Sequence, residues 1–309
     1  MARQDPSPPR SDARTGVTYG LLAYGMWGLM PLYFRLIGQV PAAQIVAQRV
    51  VWSLLFVGGL LIVSRGWPAV RAAVGDRRTL LTLLASAALI SVNWLVYTWA
   101  VVNGHVLAGS LGYYLNPLVN VALGTILLGE RLSRPQLGAV LLALAGVSGL
   151  LLSALDTLWI SLALALSFSA YGLLRKVVAV AALPGLAIET ALITPVALVW
   201  LLSLGPENAW GRDSGTDALL VLSGAVTAVP LLLFTAAARR LPYSTIGLLQ
   251  FIAPTVQFLL AVALFGERFT TGHAIAFGCI WIAVAIYLWD LVRHLKADAA
   301  HEPTARLGR

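Results

Sequence analysis

The chain has 309 residues, 59% of them hydrophobic and 11% charged, with a mean hydropathy of +0.84 and a formal net charge of +8. A soluble globular domain carries roughly 25% charged residues. The composition therefore excludes a water-soluble fold of this size and points to lipid, where each helical span takes about 20 apolar residues. The basic residues lie between apolar runs rather than in one patch, so membrane topology explains the positive charge better than nucleic-acid binding does.

In chain order, residues 1–16 (MARQDPSPPRSDARTG) are polar and rich in charge and proline, the composition of a disordered tail. Ten apolar stretches follow, at 17–37, 43–63, 80–102, 107–128, 136–154, 157–176, 184–204, 217–237, 243–265 and 273–292. Each predicts a membrane-spanning helix. The first is long for a signal-peptide core and no A-x-A-like site follows it, so it is expected to stay as a helix. Most connections are short. Residues 64–79 form a basic loop, 205–216 a polar one with Gly and Pro, and 294–309 a second polar tail.

The basic residues orient these spans. With the N-terminus in the cytoplasm, Arg35, Arg212 and Arg268 fall outside and Arg49 falls within a helix. The rest of the 21 Lys and Arg residues, including Arg77, Arg78, Arg175, Lys176, Arg239 and Arg240, fall inside. This bias predicts that both termini are cytoplasmic. The single Cys279 excludes an intramolecular disulfide.

The chain repeats itself. A shift that carries Pro117 onto Pro254 carries Val119 onto Val256, Leu123 onto Leu260, and Gly129-Glu130-Arg131 onto Gly266-Glu267-Arg268. Polar positions coincide as well, Tyr113 with Gln250 and Asn120 with Gln257. The matched segments are the fourth and ninth spans, an odd number apart, so the two halves run in opposite senses across the membrane. The expected fold is an all-α integral membrane protein of ten helices, in two inverted five-helix repeats at 17–154 and 155–293. In such architectures the substrate site lies near the midplane between the halves. Gly-Glu-Arg reads as a structural stop: Gly129 ends the helix, Glu130 and Glu267 accept backbone N–H groups in the turn, and Ser133 with Gln136 makes a capping box.

Polar side chains inside the spans need partners and should point into the bundle. In the fourth span Tyr113, Asn116 and Asn120 recur at helical spacing with Pro117, and in the ninth Gln250, Pro254 and Gln257 share a face. The third contributes Asn93 and Tyr97, with Trp94 beside them. Interhelical hydrogen bonding would account for any one of these residues. The combination of amides, rings and prolines, which free backbone carbonyls, favours a cavity. Trp67, Trp159 and Trp289 lie near span ends and read as interfacial anchors. Two charges fall within equivalent helices, Arg49 in the second and Glu189 in the seventh. At about 1.5 Å per residue, Arg49 lies roughly 10 Å in from the outer surface and Glu189 roughly 8 Å in from the inner one. They are therefore not expected to pair directly. Each is either a functional group on its own half of a pathway or a charge satisfied near a helix end.

The stretches SVNWLVYTWAVVNGHVLAGSLGYYLNPLVNVALGTILLGERL, SFSAYGLLRKVVAV, GLAIETALITPVAL and TAVPLLLFTAAARRLPYSTIGLLQFIAPTVQFLLAVALFGERF resemble the RarD-type branch of the EamA family, in the drug/metabolite transporter superfamily. The resemblance runs over nearly the whole chain. It implies ten helices in inverted repeats, a location in the bacterial inner membrane and transport of a small molecule. Related members export amino acids and metabolites, and the branch is named for a link to chloramphenicol sensitivity. Two positions depart from the branch pattern. Gln48 stands where a His usually precedes the Arg of the second helix, and Ala108 where a Glu usually opens the fourth.

Other classes lack their signatures. No G-x-x-x-x-G-K run is present for an ATP-driven pump, and His105, His273, His294 and His301 have no metal-ligand spacing. No nucleophile–base pair marks a hydrolase, and no cofactor is expected. The reading is a secondary transporter, in the export direction, for small organic molecules such as amino-acid-like metabolites or drugs. A passive channel or facilitator is the alternative. The candidate translocation residues are Arg49, Asn93, Trp94, Tyr97, Tyr113, Asn116, Asn120, Gln250 and Gln257. Glu189 is the candidate for proton coupling, because the other acids lie in tails, loops or span ends. Arg49 would attract an anionic group of the substrate. The expected partners are the lipid bilayer and a small-molecule substrate, with no nucleic acid. The protein is a monomer or a homodimer, since Ala139/Ala143 and Ala274/Gly278 permit close helix packing.

The topology is tested by labelling. In a Cys279→Ser background, an impermeant thiol reagent applied to intact cells should label Asp213→Cys and leave Ser133→Cys unlabelled. The reverse pattern would overturn the assignment.

Overall fold

The computed structural model describes residues 10–102, 106–152 and 158–264, with 271–272, 274–275, 278–283, 285–286, 289–290 and 293. Twelve α-helices are defined through residue 264. They are α1 Arg10–Gly28, α2 Met30–Leu36, α3 Ala42–Val63, α4 Trp67–Gly75, α5 Arg77–Val102, α6 Val106–Leu127, α7 Arg134–Leu152, α8 Leu158–Val177, α9 Ala182–Ser203, α10 Ser214–Ala238, α11 Tyr243–Leu249 and α12 Ile252–Leu264. A single 3-10 turn, Gly205–Glu207, precedes α10. Among the described residues, five helices are long and apolar enough to cross a membrane: α3, most of α5, α8, α9 and α10. Their outer faces are apolar and bare, as at Val63 (83% exposed) and Leu202 (78%). Lipid hides such surface without a partner protein.

Three expected elements differ from prediction. The first span begins earlier, at Arg10, and is interrupted at Leu29, where Pro31 in the next turn supplies no N–H to continue the ladder. The basic loop 64–79 contains α4, started by Gly66 and Pro68. The ninth span is broken at Gln250–Phe251 into α11 and α12. Pro254 cannot donate to the Gln250 carbonyl, which instead accepts a tighter bond from Ala253 N at 3.3 Å. Pro117, its match under the repeat, sits inside an unbroken α6. The expected tenth span (273–292) lies partly outside the described residues, and Gly266-Glu267-Arg268 and the C-terminal tail wholly so, apart from Arg293.

The helices pack as α6 on α8, α3 on both α9 and α10, α5 on α8 and α9, α1 on α10 and α12, and α11 on α6. The central cluster joins Tyr24, Tyr171, Phe234 and Tyr243 from four helices, all at 1% exposure or less. Ala139 and Ala143 are fully buried in a cluster with Ile280 and Ala283 of the same chain, so this small-residue step packs internally.

The Gly-Glu-Arg motif is resolved in the first half. Gly129 takes φ +68°, the left-handed conformation that a glycine adopts without strain, and Glu130 N closes the helix end on Gly124 O at 3.0 Å. The capping box forms as expected: Gln136 N donates to Ser133 Oγ at 3.3 Å and Ser133 N to Gln136 Oε1 at 3.0 Å. Glu130 also reaches beyond its own turn. Its Oε1 accepts from Tyr243 N at 2.6 Å, capping the start of α11 in the other half of the chain. Loss of a helix cap costs about 0.5–2 kcal/mol. Glu130→Ala should therefore lower the thermal midpoint in detergent, and Glu130→Gln, which keeps an acceptor, should lower it less. Equal midpoints for all three proteins would remove this contact from the stability of the fold.

Candidate functional site

A cavity lies among the inward faces of the central helices. It is lined by Tyr24 and Trp27 of α1, Met30 and Phe34 of α2, and Arg49 of α3. Asn93, Trp94 and Tyr97 of α5, Tyr113 of α6 and Phe168 of α8 also line it. Thr227 and Leu231 of α10 contribute, as do Gln250, Ala253, Pro254 and Gln257 at the α11–α12 break. The space open to the centres of water-sized molecules is about 90 Å³. One water needs roughly 10–15 Å³ on that measure, so several waters or one small solute fit.

Arg49 is 8% exposed and lines this space. Its Nε donates to Thr227 Oγ1 at 2.7 Å. Its guanidinium carbon lies 5.4 Å from the centre of the Trp94 ring and 5.7 Å from that of Phe34, within cation–π range. Among the described residues, no carboxylate comes within ion-pair distance of it. The amides brace the walls. Asn93 Nδ2 donates to Leu164 O and Ser167 Oγ, both at 3.0 Å, tying α5 to α8. Gln257 Nε2 donates to Trp27 O at 3.0 Å, tying α12 to α1. The Tyr97 and Tyr113 rings meet at 5.4 Å. Gln48, where the resemblance led one to expect His, accepts from Trp52 Nε1 at 3.0 Å within its own helix.

Seven of the expected residues thus share one cavity: Arg49, Asn93, Trp94, Tyr97, Tyr113, Gln250 and Gln257. Three stand outside it. Asn120 is buried behind the wall, and its Nδ2 donates to Gln250 Oε1 at 2.7 Å, positioning that amide. Asn116 lies about 60° around the helix from Tyr113. It is completely buried, its carbonyl accepts from Ser169 Oγ of α8, and its side-chain amide has no hydrogen-bond partner among the described residues. Packing between α6 and α8 closes the gap that a cavity-lining role would need. Glu189 is 1% exposed and lies 3.7 Å from Arg175 Nε, and its Oε1 accepts from Ser86 Oγ of α5.

Arg175 corrects the topological reading of that residue. It is not a loop charge facing water. It is fully buried in the last turn of α8, and its Nη2 donates to Ala182 O at 3.1 Å. Gly185 makes room for it: a Cβ there would fall 2.0 Å from Arg175 Nη1. Its neighbour Lys176 is also drawn in, donating to Ala238 O at 3.1 Å and Leu241 O at 2.6 Å. Sequence reasoning also missed the first span's share of the cavity. Tyr24, Trp27 and Phe34 recur at spacings of three and seven, a one-faced aromatic stripe that was there to be read. Thr227 carried no such signal. Among the described residues, no three His, Cys, Asp or Glu side chains gather as metal ligands.

Comparison with known proteins agrees with this architecture. Residues 14–152 match the model of the EamA-like transporter family. The chain is 48% identical over 291 residues to an uncharacterized transporter of Pseudomonas aeruginosa, covering 93% of this chain and 97% of that protein. It is 44% identical over 289 residues to Protein RarD of Escherichia coli, covering 90% and 95%. It is 41% identical over 299 residues to the uncharacterized transporter YojE of Bacillus subtilis, covering 94% and 99%. One solved crystal structure, 20% identical in sequence, superposes with a TM-score of 0.68 over 88% of this chain and 96% of the other. At that identity the likeness speaks for the fold alone. Near-full-length identity of this level, with the family match over the first half, shows that the chain belongs to the EamA-like transporter family, in its RarD-type branch, and is a multi-pass membrane transporter.

Proposed function

We propose that the protein is a secondary transporter that moves small organic molecules across the cytoplasmic (inner) membrane, in the export direction, with both termini in the cytoplasm. The observation that carries this reading is the cavity between the central helices, where a guanidinium with no carboxylate partner among the described residues, amides and aromatic rings converge on a space of solute size. Intramembrane charge that faces a cavity marks a substrate path.

The ten-span inverted repeat is supported by the packing pattern. If each helix of the first half is matched to its counterpart in the second, the α6–α8 contact corresponds to α1–α12, α5–α8 to α1–α10, and α3–α10 to α5–α9. The α3–α9 and α6–α11 contacts correspond to themselves. A pseudo-two-fold axis through the cavity predicts this set of pairs.

Glu189 remains our candidate for proton coupling, now with Arg175 as its counter-ion. The pair sits where the end of α8 meets the first half of α9, and Glu189 Oε2 and Arg175 Nη1 have no hydrogen-bond partners among the described residues. Neutralising Glu189 would leave a buried guanidinium uncompensated, a state costing several kcal/mol, so proton uptake would drive a rearrangement at that end. The facilitator reading has one observation in its favour: no carboxylate lines the described cavity.

Reconstitution in liposomes separates these readings. Wild-type protein should exchange a labelled organic carboxylate, and Arg49→Leu should cut that exchange about 10- to 100-fold, the worth of a charged hydrogen bond, at unchanged thermal midpoint. Full exchange by Arg49→Leu would take the cavity out of the path. With an imposed pH gradient, Glu189→Gln should still exchange substrate for substrate but fail to accumulate it. Wild-type-like accumulation by that variant would dismiss Glu189 as the coupling group, and a wild type indifferent to the gradient would establish the facilitator.

A further inference from the structure

We infer that the cavity selects small organic monoanions, carboxylates with an apolar planar body and no ammonium group, over zwitterionic amino acids and over neutral molecules of the same shape. This rests on the cavity being the substrate site and narrows the substrate class within it.

The electrostatics of the cavity carry the inference. Arg49 is its charged residue, 8% exposed, held by Thr227 and by two ring faces rather than by an anion. Ring faces and a hydroxyl offset only part of the loss of water around a guanidinium. A solute carboxylate supplies the rest, because its two oxygens match the guanidinium fork. Among the described residues, one guanidinium and no second Lys or Arg lines the space. The charge is therefore matched by a monoanion and not by a phosphate dianion.

The ammonium is excluded by where the acids are. The chain has 13 Asp and Glu residues, and Glu189 is the one placed within a span away from its ends. It is paired with Arg175, outside the cavity. Asp290, buried near the end of the last expected span, accepts from Ser133 Oγ at 2.6 Å. Asp156 and Glu267 fall between spans in the sequence. An amino acid bound by its carboxylate at Arg49 would place its ammonium a few bonds away, beside a like charge and with no acid to receive it. Neutral groups do better there: Asn93, Gln250 and Gln257 offer hydrogen bonds, while Trp27, Trp94 and Phe168 offer flat apolar surface. The cavity admits a ring-sized body if the side chains around it relax.

The test is a binding comparison on purified protein in detergent, read by calorimetry and by the change in intrinsic tryptophan fluorescence. The probes are phenylacetate, phenylacetamide and phenylalanine at neutral pH. Phenylacetate should bind at least about tenfold more tightly than either of the others. Arg49→Gln should erase its advantage over phenylacetamide without shifting the melting curve. Phenylalanine binding as well as phenylacetate, phenylacetamide binding as well as phenylacetate, or no binding by any of the three would overturn the inference. In each of those cases the transport reading survives if Arg49→Leu still abolishes exchange of another solute in liposomes. If Arg49 variants change neither binding nor exchange, the cavity reading itself fails.

Discussion

A guanidinium kept from water inside an apolar bundle must be held by something, and this protein holds two of them in opposite ways. Arg175 is fully buried, beside a carboxylate and a backbone carbonyl, with α9 passing over it at Gly185. Arg49 has a threonine hydroxyl, two aromatic faces and open space. The first arrangement is internally compensated and belongs to the packing of the helix ends. The second is left incomplete within the described chain, and an incomplete buried charge is what a transported anion would complete. The groups that hold Arg49 come from neighbouring helices, the Thr227 hydroxyl from α10 and the Trp94 ring face from α5.

Much of this was legible in the sequence. Composition required lipid, and uninterrupted apolar stretches located the helices, since lipid leaves few alternatives to a helix. The internal repeat picked out Tyr113, Gln250 and Gln257, which meet at one cavity although the last two lie more than a hundred residues from the first. Helical spacing named faces correctly for Asn93 and Tyr97. It failed at Asn116, because a period says which residues share a face but not which neighbour that face meets. α8 covers Asn116, and nothing within α6 announces α8.

The remaining differences share one physical cause, which is that the decisive partner lies far along the chain. Arg175 looked like a loop charge because Lys176 follows it and a span ends there. The residue that draws it inward, Glu189, is in the next helix. Glu130 was read within its own turn, yet it also accepts the N–H of Tyr243, from the other half of the chain. Pro117 and Pro254 align under the repeat but act differently, one inside a continuous helix and one beside a break. A proline removes a donor wherever it stands. Whether the helix then parts depends on what the tertiary contacts offer the freed groups.

That break at Gln250–Phe251 divides one span between two sets of attachments. α11 is fastened to the first half of the chain at both ends, through Glu130 at Tyr243 and Asn120 at Gln250. α12 is fastened to α1, through Gln257 and the Trp27 carbonyl. The cavity has Gln250 on one side of the junction and Gln257 on the other. α11 packs mainly on α6 and α12 mainly on α1, and Tyr114 Oη, donating to the Pro254 carbonyl at 3.3 Å, also ties the start of α12 to α6. The two glutamines of the cavity therefore take their positions from different neighbours, Gln250 from Asn120 of α6 and Gln257 from the Trp27 carbonyl of α1, so the spacing between them depends on how α1 and α6 are set apart.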